Sequence, residues 1–202
     1  MMRFLPLLGL VLFVGVGVFW RSWLQRRRFG HSGIVMFRSA CPAQIVREAL
    51  ALVLFVVLGA QAVAVALDPH ALDRGRALAI AIGAWPGALV VLIGTALMAA
   101  AQLDLGASWR IGIDEGARPG LVQGGLYRVC RNPIFLAMLI VVAGFAIMLP
   151  TWVSFGTLLA TVLGIRAHVL DEEAYLLRTY GGDYAEYARR VGRFFPGVGR
   201  LA

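Results

Sequence analysis

The sequence predicts an all-α integral membrane protein of about five transmembrane helices, the last two folded as a hairpin, with a polar loop and C-terminal helices at one end of that hairpin. Three observations carry the prediction. Of the 202 residues, 60% are hydrophobic and only 15% charged, and the mean hydropathy is +0.79, far from a soluble domain, where apolar residues including Gly make up about half. Uncharged stretches cover residues 4–20, 49–67, 77–102 and 132–165, against the roughly 20 apolar residues that one helix needs to cross a bilayer. The last stretch is too long for a single crossing, because at about 1.5 Å per residue it would make a rod near 50 Å across a core near 30 Å. Proline removes a helix donor and clashes with the preceding turn, so the stretch is expected to break at Leu149-Pro150-Thr151 into two short, tilted arms.

The first stretch reads as a retained span with its N-terminus outside. Arg3 could begin a signal peptide, but no small-x-small cleavage site precedes Arg21, and the dense positive charge follows the apolar run. Residues 21–47 then form a loop with six Arg on the inner side, and residues 110–131 carry four more. With the hairpin returning to the same side, Arg166 and the tail bring the total to sixteen inside, against Arg3, Arg74 and Arg76 outside. A straight crossing would leave a ten-to-nine split, so the positive-inside rule supports the hairpin.

All 19 basic residues are Arg, and the net charge is +8. They lie between apolar runs and not on one polar domain, so anionic lipid headgroups are the expected partner and nucleic acid is not. The all-Arg basicity suggests a GC-rich bacterial genome and hence an inner membrane. The 24 Gly and 8 Pro exclude a simple coiled coil. Cys41 and Cys130 have neither metal nor redox spacing and read as reduced structural thiols, and His31, His70 and His168 form no ligand pair, so no metal is expected. P-loop, dinucleotide-binding and nucleophile-elbow signatures are missing from the sequence, and Gly15-Val-Gly17 reads as a helix-packing feature.

Chemistry must sit in the two remaining polar stretches, 103–131 and 166–202, which the topology places together on the cytoplasmic face. In the first, Gly120, Gly124 and Gly125 allow close backbone approach, and Pro133 suits the first turn of the hairpin's first arm. The second has helical spacing, with Leu170, Leu177 and Tyr180 among its apolar positions, Gly181 as a stop, and His168, Glu172 and Tyr175 on one side. The Glu172–Glu173 pair can bind ribose hydroxyls or a cation, or simply solvate a helix face through pairs with Arg166 or Arg178. Residues 183–196 read as a basic amphipathic helix on the membrane surface, with Tyr184, Tyr187, Val191 and Phe194 facing lipid or protein.

Gly120-Leu-Val-Gln-Gly-Gly-Leu-Tyr-Arg-Val-Cys-Arg-Asn-Pro-Ile-Phe resembles the Leu-Val-x-x-Gly-x-Tyr-x-x-x-Arg-His-Pro-x-Tyr pattern of the isoprenylcysteine carboxyl methyltransferase and phospholipid methyltransferase superfamily. An apolar hairpin, Glu172–Glu173, Tyr-Gly-x-x-Tyr-x-x-Tyr and Val-x-Arg-x-x-Pro follow in the family's order, so that the resemblance covers residues 103–196 of a single integrated membrane domain. Residues 1–102 would supply N-terminal spans and 103–202 the catalytic region. The resemblance implies S-adenosylmethionine as methyl donor. It implies cofactor contacts at Pro119, Gly120, Leu121, Val122, Gly125, Tyr127, Asn132, Pro133, Ile134, Phe135, Glu172 and Glu173, with Arg131 neutralising the donor's carboxylate. Asn132 stands where the family has His, and Phe135 where it has Tyr. His168 falls where isoprenylcysteine enzymes carry a substrate-gripping arginine, and a neutral imidazole is a poorer carboxylate clamp. Arg166 or His168 is therefore expected to meet a different head group, and His168 can serve as a general base.

The acceptor implied is a lipophilic small molecule, lipid, thiol or carboxyl compound that enters from the bilayer. Two other readings remain open: a nicotinamide-dependent membrane reductase of related fold, and a non-catalytic lipid-binding protein.

Overall fold

A computed structural model describes residues 2–38, 41–77, 83–112 and 120–201. Its elements are α-helices and short 3-10 turns, and pairing between extended segments among the described residues is limited to isolated bridges. Helices α1 (Leu5–Val14) and α2 (Arg21–Phe29) are joined by a π-helical segment, Gly15–Trp20, into one rod, Met2–Phe29. Next come α3 (Pro42–Leu67), α4 (Ala84–Leu105), α5 (Pro133–Met148), α6 (Trp152–Tyr180) and α7 (Gly182–Arg190). The first rod, α3, α4 and α6 are long and apolar enough to cross a membrane, and α5 is a shorter apolar helix.

The hairpin turns at Leu149-Pro150-Thr151 as expected, but its arms are unequal, at 16 and 29 residues. Thr151 caps α6 by accepting from the Ser154 amide at 3.0 Å, and no Gly or Pro interrupts the helix between Ile165 and Tyr180. At about 43 Å, α6 is longer than a bilayer core, which brings His168 level with Phe135 in the first turn of the shorter arm and Glu173 to Asn132 at that arm's N-cap. Gly181, at φ 52°, ends it.

Two spans begin or end differently from the sequence expectation. Arg21 is not in a loop. It is 1% exposed, donates to the carbonyls of Gln102 at 3.3 Å and Gly106 at 2.7 Å, and stacks on Trp109 at 4.6 Å. A cation at the C-terminal carbonyls of α4 is well placed against the helix dipole, so the helix runs on past the apolar stretch. The carbonyl of Gly17, in the π segment, accepts from Gln102 Nε2 at 3.0 Å, which ties α4 to the same rod. Likewise α3 starts at Pro42, so Arg47 is helical.

The core lies where α4 meets α5. Gly87, Val91 and Gly94 face Ala137, Val141, Gly144 and Met148, and a Cβ on Gly144 would lie 2.9 Å from the Gly87 carbonyl oxygen. Backbone-to-backbone contact of this kind is how membrane helices gain packing when lipid already solvates their apolar side chains. Helix α3 lies along α6 and is tied to it at both ends. Thr151 and Ser154 donate to Gln61 Oε1 at 2.7 and 3.1 Å near the turn, and Arg47 pairs with Asp171 at 2.8 Å near the opposite end.

The apolar side of α7 faces protein and not a membrane surface. Tyr184, Tyr187, Ala188 and Val191 are buried against Leu121, Leu176, Tyr180 and Leu201. The helix also stops at Arg190, because the next residues pair with the loop, Arg131 N donating to Gly192 O at 3.0 Å and Asn132 N to Arg193 O at 3.2 Å.

Candidate active site

The polar lobe is organised around one carboxylate. Glu173 is 8% exposed. Its Oε1 accepts from Arg131 Nε at 3.2 Å and Nη2 at 2.9 Å and from Asn132 Nδ2 at 3.3 Å, while Oε2 accepts from Arg193 Nη2 at 2.8 Å. Arg131 also donates through Nη1 to the carbonyls of Ala188 at 2.8 Å and Val191 at 2.7 Å, and through Nη2 to Gly199 at 3.0 Å. All five guanidinium donors are thus engaged within the protein. The expected contact of Arg131 with a ligand carboxylate is corrected on this point: the side chain is a buried strut that joins α6, the end of α7 and the tail. Glu173 is likewise committed to the lobe and presents no free oxygen.

Glu172 differs. Its side chain is half-buried and makes no hydrogen bond or ion pair among the described residues. On a helix, adjacent residues point about 100° apart, so one carboxylate turns inward to the guanidinia and the other away from them. Burial pushes the Tyr127 phenol well above its ordinary pKa, and the nearby Glu172 charge adds to this. A phenol held up in this way keeps its proton at neutral pH. Tyr184 is 2% exposed with a buried hydroxyl that has no hydrogen-bond partner among the described residues; burial and then the Glu173 charge push its phenol up too.

The loop is held by its neighbours. Tyr187 Oη donates to the Tyr127 carbonyl at 2.7 Å. Asp104, from the end of α4, accepts from the Leu126 amide at 2.8 Å. Gly125 sits against that carboxylate at φ 56°, where a Cβ would collide with it. Pro133 opens α5 in its first turn as expected, and Asn132 uses its amide on Glu173 and the Arg193 carbonyl at 3.2 Å.

Of the residues selected from the sequence, the structure gathers Tyr127, Asn132, Phe135, His168, Glu172 and Glu173. Phe135 and His168 meet edge to face with ring centroids 5.1 Å apart. Ile134 is half-buried in the first turn of α5, Val122 is half-buried, and Gly120 is exposed at φ 94°. Leu121 packs on α7. Arg166 is exposed and makes no hydrogen bond or ion pair among the described residues. Pro119 lies outside the described residues. The expected apolar positions Leu170 and Leu177 are each 42% exposed; Ile165, Val169 and Glu173 face inward, because Glu173 must reach two guanidinia.

Sequence reading missed Arg193, Asp104 and Arg47. Arg193 was present in the Val-x-Arg-x-x-Pro signature; the other two had no local signal.

Fold and lobe together define a helical membrane protein with a polar site where a hairpin's long arm leaves the bundle. The family model for phospholipid methyltransferase matches residues 82–183, and the chain belongs to that family. It is 31% identical over 115 residues to protein-S-isoprenylcysteine O-methyltransferase A of Arabidopsis thaliana, covering 55% of this chain and 58% of that protein. It is 28% identical over 116 residues to the cobalt-zinc-cadmium resistance protein CzcN of Cupriavidus metallidurans, covering 56% and 52%. The chain thus matches little more than half the length of these relatives. The solved structure of a eukaryotic intramembrane Ras methyltransferase, isoprenylcysteine carboxyl methyltransferase, shares the fold with a TM-score of 0.59 at 17% identity, over 96% of this chain and 75% of that one.

Proposed function

We propose that the protein is a membrane methyltransferase that uses S-adenosylmethionine and methylates a lipophilic acceptor. The observation that carries this reading is the division of labour in Glu172–Glu173: one carboxylate builds the lobe and the other is left without a partner beside a buried phenol. An unpaired, half-buried carboxylate is costly unless something donates to it, and the hydroxyl and ammonium groups of the donor are suitable. Glu172 would accept from those groups, Tyr127 and the loop at 120–123 would line the site, and the buried Tyr184 hydroxyl would offer one hydrogen bond.

S-adenosylmethionine supplies an electrophilic methyl group on a good sulfonium leaving group. Strong acid-base machinery is therefore unnecessary, and the chain's task is to orient two ligands and exclude water. Arg131 acts here as a positioning residue. His168, held edge-on by Phe135 one turn before Glu172, lies on the acceptor side and is the candidate proton acceptor. The arginine distribution supports placing the lobe on the cytoplasmic face of a bacterial inner membrane, with exposed Arg128, Arg189 and Arg190 available to anionic headgroups.

Calorimetric titration of the detergent-solubilised chain with S-adenosylmethionine, S-adenosylhomocysteine and a reduced nicotinamide cofactor tests the reading. Micromolar binding of the first two is expected, weakened at least about tenfold by Glu172→Gln, the equivalent of one lost charge-assisted hydrogen bond. Binding of the nicotinamide alone, or of none of the three by folded protein, refutes it.

A further inference from the structure

A cleft apart from Glu172 opens between residues 123–128 and the end of α7. It encloses about 300 Å³ and is lined by Gln123, Arg128, Tyr187, Arg190 and Val191. Tyr187 and Val191 are its buried members, and the Tyr187 hydroxyl is committed to the Tyr127 carbonyl. No acid stands among the lining residues. Arg128 is exposed and makes no hydrogen bond or ion pair among the described residues, so its whole guanidinium is available. Arg190 donates through Nη2 to Gln123 Oε1 at 3.2 Å and leaves Nε and Nη1 without an acceptor among the described residues. Its acid, Glu186, is 3.8 Å away, with the two side chains 62% and 67% exposed, a loose pair that solvent screens. Gln123 gives its oxygen to Arg190, and its Nε2 has no acceptor among the described residues.

What the cleft has left to offer is therefore donors, from three side chains on two elements. One planar fork is enough for a carboxylate, whereas two separate guanidinia and an amide suit a tetrahedral oxyanion whose oxygens point several ways. Val129, beside Arg128, is 51% exposed and stands four residues before the apolar α5 begins, which sets the cleft near headgroup depth. We propose that this cleft is a phosphate-ester site, distinct from the methyl-donor site, and that its ligand is a glycerophosphate group, carried by an anionic phospholipid or by a soluble ester. Phe135, His168 and Glu172 take no part in its lining, and the inference does not depend on methyl transfer. A ligand held there joins the loop to α7, as the bond from Tyr187 to Tyr127 already does.

The test is calorimetric titration of the full chain in dodecyl maltoside with sn-glycerol 3-phosphate, dihexanoyl phosphatidic acid and, as the neutral counterpart, dihexanoylglycerol. Phosphatidic acid is expected to bind at least about tenfold more tightly than dihexanoylglycerol, a difference of about one charge-assisted bond. Phosphatidic acid binding more tightly than glycerol 3-phosphate identifies a headgroup, and equal affinity identifies a soluble ester. Arg128→Gln and Arg190→Gln should each weaken binding at least about tenfold, Arg128→Lys should retain part of it, and Arg178→Gln, exposed on the lobe outside the cleft, should stay within about twofold of wild type. Both lining arginines are exposed, so the variants should keep the wild-type thermal midpoint. Phosphatidic acid and glycerol 3-phosphate binding no better than dihexanoylglycerol overturns the proposal, and so does an equal loss in Arg178→Gln, which marks diffuse attraction to the lobe's positive charge. Saturating S-adenosylhomocysteine should leave the phosphate titration unchanged. Competition between the two would merge the cleft with the donor site and also overturn the proposal, whereas failure of S-adenosylhomocysteine to bind at all counts against the methyltransferase reading alone.

Discussion

Replacing Glu173 by Gln should detach the C-terminal tail while leaving the membrane helices in place. The substitution keeps the side chain's volume and one acceptor oxygen but removes the charge that two guanidinia share. Arg131, 6% exposed, would be left as a buried cation without a counter-charge, and breaking a buried pair by removing one partner costs about 3–5 kcal/mol. Arg193, whose side chain is 29% exposed, adds at most about 1 kcal/mol after solvent screening. A local loss near 4 kcal/mol corresponds to roughly a thousandfold rise in opening. Amide hydrogen exchange of the chain in micelles reads this at Arg193, whose amide donates to Val198 O at 2.8 Å, and at Leu201, which donates to Ala188 O at 3.1 Å. Protection at those two amides should fall by about three decades in Glu173→Gln and stay unchanged in Glu172→Gln, which loses no bond. A fall of less than about tenfold in the first variant, or an equal fall in the second, refutes the assignment of Glu173 as the hub.

Other consequences follow from single contacts. Gly144→Ala would set a methyl 2.9 Å from both the Gly87 carbonyl oxygen and the Val91 amide nitrogen; backbone cannot yield there, and overpacking should cost about 1–3 kcal/mol in a thermal or denaturant melt, whereas Gly156→Ala, which meets nothing, should be near neutral. Gly125→Ala strains a left-handed position and displaces Asp104 from the Leu126 amide, so S-adenosylhomocysteine affinity should drop by about an order of magnitude, matching roughly 1–2 kcal/mol of left-handed strain. The double variant with Asp104→Ala should lose less than the sum of the two singles. Burial pushes the Cys130 thiol above its usual pKa, so iodoacetamide at pH 8 should label the exposed Cys41 and leave Cys130 at least about a hundredfold slower until the chain is unfolded.

Local signals made much of this architecture legible. Pro150 ends one arm and Thr151 caps the next, Pro133 opens α5, and Gly181 closes α6; each acts through its own backbone, so each can be read without knowing its neighbours in space. The convergence of residues 120–132 with α6 and the tail was legible as well, since the arginine distribution requires the hairpin to return to its starting side. Helix limits were less accessible. Arg21 looks like the end of a span until α4 is seen to present its terminal carbonyls to it.

What the sequence by itself determined is the membrane class, the hairpin and the identity of the polar segments that meet, because hydropathy, proline and glycine act over a few residues. Only the tertiary structure decided which of two adjacent glutamates is left without a hydrogen bond or ion pair among the described residues, that Arg131 has no donor left for a ligand, and that Arg47 on α3 pairs with Asp171 on α6. Those are questions of which groups already have partners. The partners come from segments 20 to 124 positions away in the chain, and pairing at that distance is set by how the helices pack, not by any pattern within one of them.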